Sequence, residues 1–291
     1  MGELRFVGLG LGDERDLSAR ALRAIRTSTE IFWEEYTGRV AEGSRARLEE
    51  AIGRPVRTLD RAEVESGAPL RAALDAGGTV ALLVAGDPFV ATTHVALRSS
   101  AAESGHRWRY FPNATVLSAV PGLLGLMPYR FGRTVSVPFP ADGFRPRSPL
   151  AAIVANRAAG LHSLALLDLD PAGGRYLTAP EAIERLTEMD DEARPQLPPE
   201  EPWCVAARVG AEDARGWWAP RSELLRTDFG APLHAVVVPA PALHFEEERA
   251  LRLWRVGPTG APGPAKTPGS TAPGAPDARA RPRTGAAEPR P

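Results

Sequence analysis

Apolar residues along this chain fall into short runs separated by helix-period segments. Strand-like runs occupy "LRFVG" (4–8), "EIFWEEY" (30–36), "TVALLVAG" (79–86), "RWRYF" (107–111) and "TVSVPF" (134–139). Three more follow: "HSLALLDL" (162–169), "WCVAARVG" (203–210) and "LHAVVVP" (233–239). Between them, "DLSARALRAIRTS" places Leu17, Ala21, Leu22 and Ile25 on one helical face. "HVALRSSAAESG", "SPLAAIVANRAAG" and "APEAIERLTEMDDEA" carry the same periodicity. Asp16 and Ser18 stand where an N-cap is expected, and Gly105 and Gly160 where C-cap glycines fall. Strands alternating with helices predict an α/β fold with largely parallel sheets.

The stretch "FPNATVLSAVPGLLGLMPYRFG" breaks this rhythm, and the boundary between two α/β domains is set near residue 112. The domains expected are 1–112 and 113–256, with the ligand site at strand ends and between the domains. Residues 257–291 carry nine prolines and six glycines, with alanine as the only apolar type. Such a segment buries too little surface to offset its ordering entropy, so a disordered tail is expected.

Composition narrows the function. Of 291 residues, 43% are apolar and 24% charged, and the net charge is -1. No overall field recruits nucleic acid or an anionic membrane. No apolar run approaches a membrane span, and no secretory leader pattern opens the chain. Cys204 is the single cysteine, which excludes an intrachain disulfide framework and suits a reducing compartment, most simply the cytoplasm. The histidines show no metal-ligand spacing, so no metal is expected.

Two stretches carry candidate chemistry. "FVGLGLGDERDLS" (6–18) has glycines at 8, 10 and 12. The third comes one residue early for a dinucleotide fingerprint, and an acidic segment follows where an anion cradle needs positive potential. In "LLVAGDPFVATTH" (82–94), Asp87 sits between Gly86 and Pro88 at a strand's carboxyl end. It is placed either to accept from ribose hydroxyls or an ammonium group, or to brace a turn and cap the next helix. Spacing leaves both open. An unaccompanied histidine such as His234 is more often structural than catalytic. Neither a P-loop nor a G-x-S-x-G nucleophile elbow occurs.

Taken together, "VGLGLGDERDLS", "EEYT" (34–37), "GDPFVATTH" (86–94) and "YRFGRTVSVPFP" (129–140) resemble the diphthine synthase family of the tetrapyrrole methylase superfamily. "GLHSLALLDLD" (160–170), "ARVG" (207–210) and "DFGAPLH" (228–234) extend that resemblance in order over nearly everything before the tail. It implies two α/β domains of tetrapyrrole-methylase type binding S-adenosyl-L-methionine in the cleft between them. By motif, the cofactor contacts are Leu11, Asp87, Val90, Thr115, Val116, Leu167, Val209 and His234. Relatives commonly have Ser-Ile where this chain has Thr115-Val116, which keeps the hydroxyl and the β-branched shape.

The implied substrate is translation elongation factor 2, methylated on the amine of a 3-amino-3-carboxypropyl-histidine, and a homodimer is usual in the superfamily. No catalytic residue is assigned. Asp168, Asp170 and His234 are conceivable proton acceptors, and no dedicated base is the expectation. Lack of a long insertion between "LLDLD" and "ARVG" leans towards the archaeal, trimethylating type. Rival readings are a precorrin or ribosomal RNA methyltransferase, or a non-catalytic module that binds S-adenosylmethionine.

Overall fold

The computed structural model describes residues 1–141, 146–190 and 196–256. The tail at 257–291, expected to be disordered, lies outside the described residues.

The first half contains β1 (Glu3–Gly8), α1 (Ala19–Arg26), β2 (Glu30–Glu34), α2 (Ser44–Ile52) and β3 (Arg57–Leu59). It continues with α3 (Arg61–Ser66), α4 (Ala68–Asp75), β4 (Thr79–Val84), α5 (Val95–Glu103) and β5 (Arg107–Phe111). The strands pair all-parallel in the order β3-β2-β4-β1-β5. Alternate residues of each strand point to opposite faces. Val7, Ile31, Ala81 and Leu83 pack under α1 and α2. Phe6, Phe32, Val80 and Leu82 pack under α3, α4 and α5.

Strands β1 and β4 are neighbours, yet the chain leaves β1 for β2 on one side and β4 for β5 on the other. That divergence opens a crevice beyond their carboxyl ends, where ligands of such sheets bind. Ser18 caps α1 by accepting from the Ala21 N–H at 3.1 Å, as its position predicts. Asp16 does not cap that helix; its carboxylate turns into the glycine loop.

The second half contains α6 (Val116–Leu124), β6 (Val135–Val137), α7 (Ser148–Ala158), β7 (Ser163–Leu167), β8 (Leu169–Asp170) and β9 (Arg175–Tyr176). Then come α8 (Ala179–Glu188), β10 (Pro202–Ala207), β11 (Arg215–Pro220), α9 (Arg221–Leu224), β12 (His234–Val238) and α10 (Phe245–Leu251). Its main sheet runs β11-β10-β12-β7-β6. The expectation of largely parallel sheets is corrected here, because only β6 and β7 pair parallel and the other three pairings are antiparallel. The reason is burial. Trp203, Val205 and Val236 face α7 and α8, while Cys204, Ala206 and Val237 face α6 and α10. A strand covered on both faces reads as a continuous apolar run whichever way it points.

Candidate functional site

The glycine loop shows why three glycines are needed. A Cβ at Gly8 would lie 2.6 Å from the Gly86 carbonyl oxygen, and one at Gly12 would lie 2.7 Å from that of Gly210. Gly10 takes a φ of +83°, which side chains disfavour, and a Cβ there would meet Asp16 at 2.5 Å. Between Gly10 and Gly86 the backbones exchange two hydrogen bonds, of 3.2 and 2.7 Å. Asp16 Oδ2 accepts from the N–H of Leu11 at 3.1 Å and of Gly12 at 2.7 Å. The amides that would cradle a phosphate are thus already satisfied by a carboxylate. The loop brings backbone close to backbone, and at Gly12 and Gly210 it brings the two halves into contact.

Beside that contact lies a cavity of about 270 Å³ between the two sheets, just under the usual size range of ligand pockets. Its walls are mostly apolar, and four of the eight motif-assigned positions reach it: Leu11, Val116, Val209 and His234. Asp87, Val90, Thr115 and Leu167 are not part of that lining. Thr115 is the N-cap of α6, its hydroxyl accepting from the Leu117 N–H at 2.9 Å. Leu167 packs on the core of the second sheet. Val90 closes the Asp87 turn, its N–H donating to the Asp87 carbonyl at 3.2 Å.

Asp87 is only 4% exposed. Oδ1 accepts from the Phe89 N–H at 3.0 Å, and Oδ2 accepts from the Asn113 N–H at 3.3 Å and from the Tyr110 hydroxyl. It braces its turn and ties the ends of β4 and β5 together, and it caps no helix, since α5 begins only at Val95. Burial and the Asp87 carboxylate push the Tyr110 phenol up to about 12, so it stays a donor at neutral pH.

His234, at the first residue of β12, is neutral. Burial lowers its pKa below the usual value, outweighing the hydrogen bond to Ala231. Nδ1 accepts from the Ala179 N–H at 3.2 Å, and Nε2 donates to the Ala231 carbonyl at the same distance. Both ring nitrogens are engaged, which leaves the imidazole as a wall and not a proton acceptor. Asp168 lies at the exposed end of β7, accepting from Phe139 and Leu169 N–H groups at 3.1 Å each. Asp170 Oδ1 accepts from the Gly173 N–H in the β8–β9 turn.

Sequence reasoning missed several residues that build this site. Arg208 borders the cavity with φ of +50°, a conformation that costs a non-glycine residue energy and is held by its surroundings. Its guanidinium donates to Asp213 and to the carbonyls of Phe229 and Ala231. Glu34 and His94, from "EEYT" and "GDPFVATTH", are both buried, with Oε2 and Nε2 3.9 Å apart. Glu34 accepts from Tyr36 N–H and from the amide and hydroxyl of Thr37, which fixes the turn after β2. A fully buried carboxylate at a strand end was the available signal, and only the fold reveals the burial. Among the described residues, no group of three or more His, Cys, Asp or Glu could hold a metal, and no helix is long and apolar enough to cross a membrane.

Two α/β halves with an apolar cavity between them, and a glycine loop without a free anion cradle, are an arrangement that suits an α/β enzyme binding a small uncharged or cationic molecule. Residues 3–224 match the model of the tetrapyrrole (corrin/porphyrin) methylases. A diphthine synthase of Methanothermobacter thermautotrophicus is 42% identical, the alignment covering 84% of this chain and 92% of that protein. A probable diphthine methyl ester synthase of Arabidopsis thaliana is 38% identical over 84% of this chain and 96% of its own. Among solved structures, a crystal structure of diphthine synthase superposes with a TM-score of 0.79 at 35% identity, covering 88% of this chain and 97% of that one. The chain therefore belongs to the tetrapyrrole methylases and, within them, to the diphthine synthases. It is a methyltransferase.

Proposed function

We propose that this enzyme uses S-adenosyl-L-methionine to methylate the amine of the 3-amino-3-carboxypropyl-histidine of translation elongation factor 2 in diphthamide biosynthesis. The observation that supports this is that four of the eight motif residues line the cavity. Leu11, Val116, Val209 and His234 come from four separate segments, and they meet on one apolar wall between the sheets. Relatives sharing those segments are diphthine synthases, which disfavours a precorrin or RNA acceptor.

The cavity fits the cofactor by the chemistry of its lining. Apolar walls suit an adenine ring and a methylene chain, and a cationic sulfonium gains nothing from an anion cradle, which Asp16 has already closed. Leu11, Val116, Val209 and His234 would hold it. Asp87, Val90, Thr115 and Leu167 would complete the contacts from the rim of the crevice, Asp87 chiefly by fixing the backbone of 86–90. When bound, the cofactor supplies an activated methyl group. The chain's own task is alignment, which is worth up to roughly 7–11 kcal/mol when the reacting atoms are well oriented.

The attacking amine must be neutral, and reference amine pKa values near 8–10 leave it mostly protonated at pH 7. Neither nitrogen of His234 is available to take that proton, and Asp168 stands at the solvent-exposed end of its strand. We propose that the proton leaves to water, with no dedicated base. We keep the domain boundary near residue 112, which is consistent with β5 ending at Phe111 and α6 packing on the second sheet.

The trimethylating type is favoured by length. The alignment with the plant methyl ester synthase runs over 268 positions and that with the archaeal enzyme over 246, yet each covers 84% of this chain. The plant protein thus carries insertions that this chain lacks. A cytoplasmic homodimer is the working assembly. The test is intact mass of elongation factor 2 bearing the unmethylated group, incubated with enzyme and S-adenosylmethionine. Stepwise gain of three methyls is expected, and a fourth would assign the methyl ester type. No gain, with the cofactor shown to bind, would overturn the proposal.

A further inference from the structure

A second and larger cleft, of about 610 Å³, opens beside the first. It lies between the segment after β2 and the β8–β9 hairpin, and residues 39–42 line both cavities. Unlike the first, this cleft is markedly polar. Glu35 and Arg45 stand on one side, and Tyr176 and Pro171 on the other.

Three arginines line one cavity or the other, and they differ in what they already hold. Arg208 is engaged by Asp213 and two carbonyls. Arg45 reaches the Val56 carbonyl at 3.4 Å. Arg39 makes no ion pair among the described residues and touches only an aromatic face, its guanidinium carbon 5.5 Å from the centre of the Tyr176 ring. That contact bridges the cleft from the first half to the second. It leaves the guanidinium edge, with its paired N–H donors, open for a planar anion.

We infer that this cleft is the acceptor site, and that Arg39 binds the carboxylate of the modified histidine; this rests on the function proposed above. The acceptor's amine and carboxylate share one carbon. Pairing the carboxylate with Arg39 therefore fixes the amine beside it, at the segment that the cofactor cavity and this cleft share. Arg39 is thus a specificity residue for the acceptor, standing on the segment that lines both cavities.

The test compares Arg39→Ala, Arg39→Lys and Ala46→Trp in steady-state methylation of aminocarboxypropyl elongation factor 2, with cofactor affinity measured by calorimetry. Ala46 is an exposed position of α2 facing the cleft, so the indole fills the cleft without disturbing a core. Arg39→Ala is expected to raise the acceptor KM by roughly 10-fold or more, the effect of losing one charge-assisted hydrogen bond. Arg39→Lys should recover part of that, and Ala46→Trp should also raise KM, all with cofactor Kd within about twofold. The wild-type KM should rise with added salt more steeply than that of Arg39→Ala.

An unchanged acceptor KM in both Arg39→Ala and Ala46→Trp would overturn the inference while wild-type turnover left the function standing. So would a loss confined to cofactor affinity. A wild-type enzyme that binds cofactor and transfers nothing would bring down the functional reading, and the inference with it.

Discussion

Gly12→Ala tests whether the two halves must close tightly for the cofactor to bind. The added methyl would stand 2.7 Å from the Gly210 carbonyl oxygen and 3.1 Å from Asp16 Oδ2. Neither neighbour can yield freely. Gly210 carries a φ of +98° and approaches Leu11 so closely that its own Cβ would meet that of Leu11 at 2.5 Å. Asp16 is held by the loop amides. Overpacking of this kind costs about 1–3 kcal/mol.

We assume that in the free protein the halves part slightly at this contact and relieve the clash. With cofactor between them they cannot, so the cost falls on binding, and the expected weakening is about 5- to 150-fold. Titration calorimetry with S-adenosylmethionine measures it, and thermal melting of the free protein serves as the control, with at most a small shift expected. A Kd within twofold of wild type alongside a large fall in melting temperature would refute the reasoning. It would show the contact to be a folding contact that binding does not use.

Other outcomes follow from single residues. Glu247→Ala should destabilise by about 3–5 kcal/mol in urea unfolding, because it leaves buried His162 and the half-buried Arg130 without their carboxylate. Acidification should weaken the fold from about pH 6.5 downward. Burial lowers the pKa of His94, His162 and His234, so the unfolded chain binds the extra protons, at a slope of about 1.4 kcal/mol per pH unit per histidine. Equal urea midpoints at pH 7.5 and 5.5 would contradict this. Gly122→Ala, exposed on α6 with open space at its Cβ, should stabilise by about 0.5–1 kcal/mol in the same assay. Asp168→Asn should keep most of the methyl transfer with unchanged cofactor affinity, and loss of nearly all turnover would establish Asp168 as the base.

Legibility in the sequence followed burial. The first sheet was readable because β4 is a nearly continuous apolar run, while β1 and β5 interleave arginines with apolar and aromatic residues, and β5 begins and ends where its run does. Helix α6 was not. Pro121 and Gly122 lie inside it, and local chemistry argues against helix there. Tertiary packing outweighs that preference, since Val120, Pro121 and Leu124 are buried, with Val120 and Leu124 packed against the second sheet. Strand β11 was hidden in "RGWWAP", where a glycine and a proline break up the apolar run. The fold buries Trp217 against Phe229, with ring centres 5.0 Å apart. Strand direction in the second sheet left no trace in an apolar run.

The site divides along the same line. The glycine loop signalled its own geometry, because a φ of +83° and a close approach to Asp16 at Gly10 demand the residue that stands there. The acidic segment after it carried the second half of the message, since Asp16 is the group that closes the loop amides. Arg39 carried no comparable signal. An arginine in a polar loop is ordinary, and its interest arises only when the β8–β9 hairpin is set opposite it. Residues whose roles depend on their own backbone can be read from sequence, whereas residues whose roles depend on what faces them across a cleft must wait for the fold.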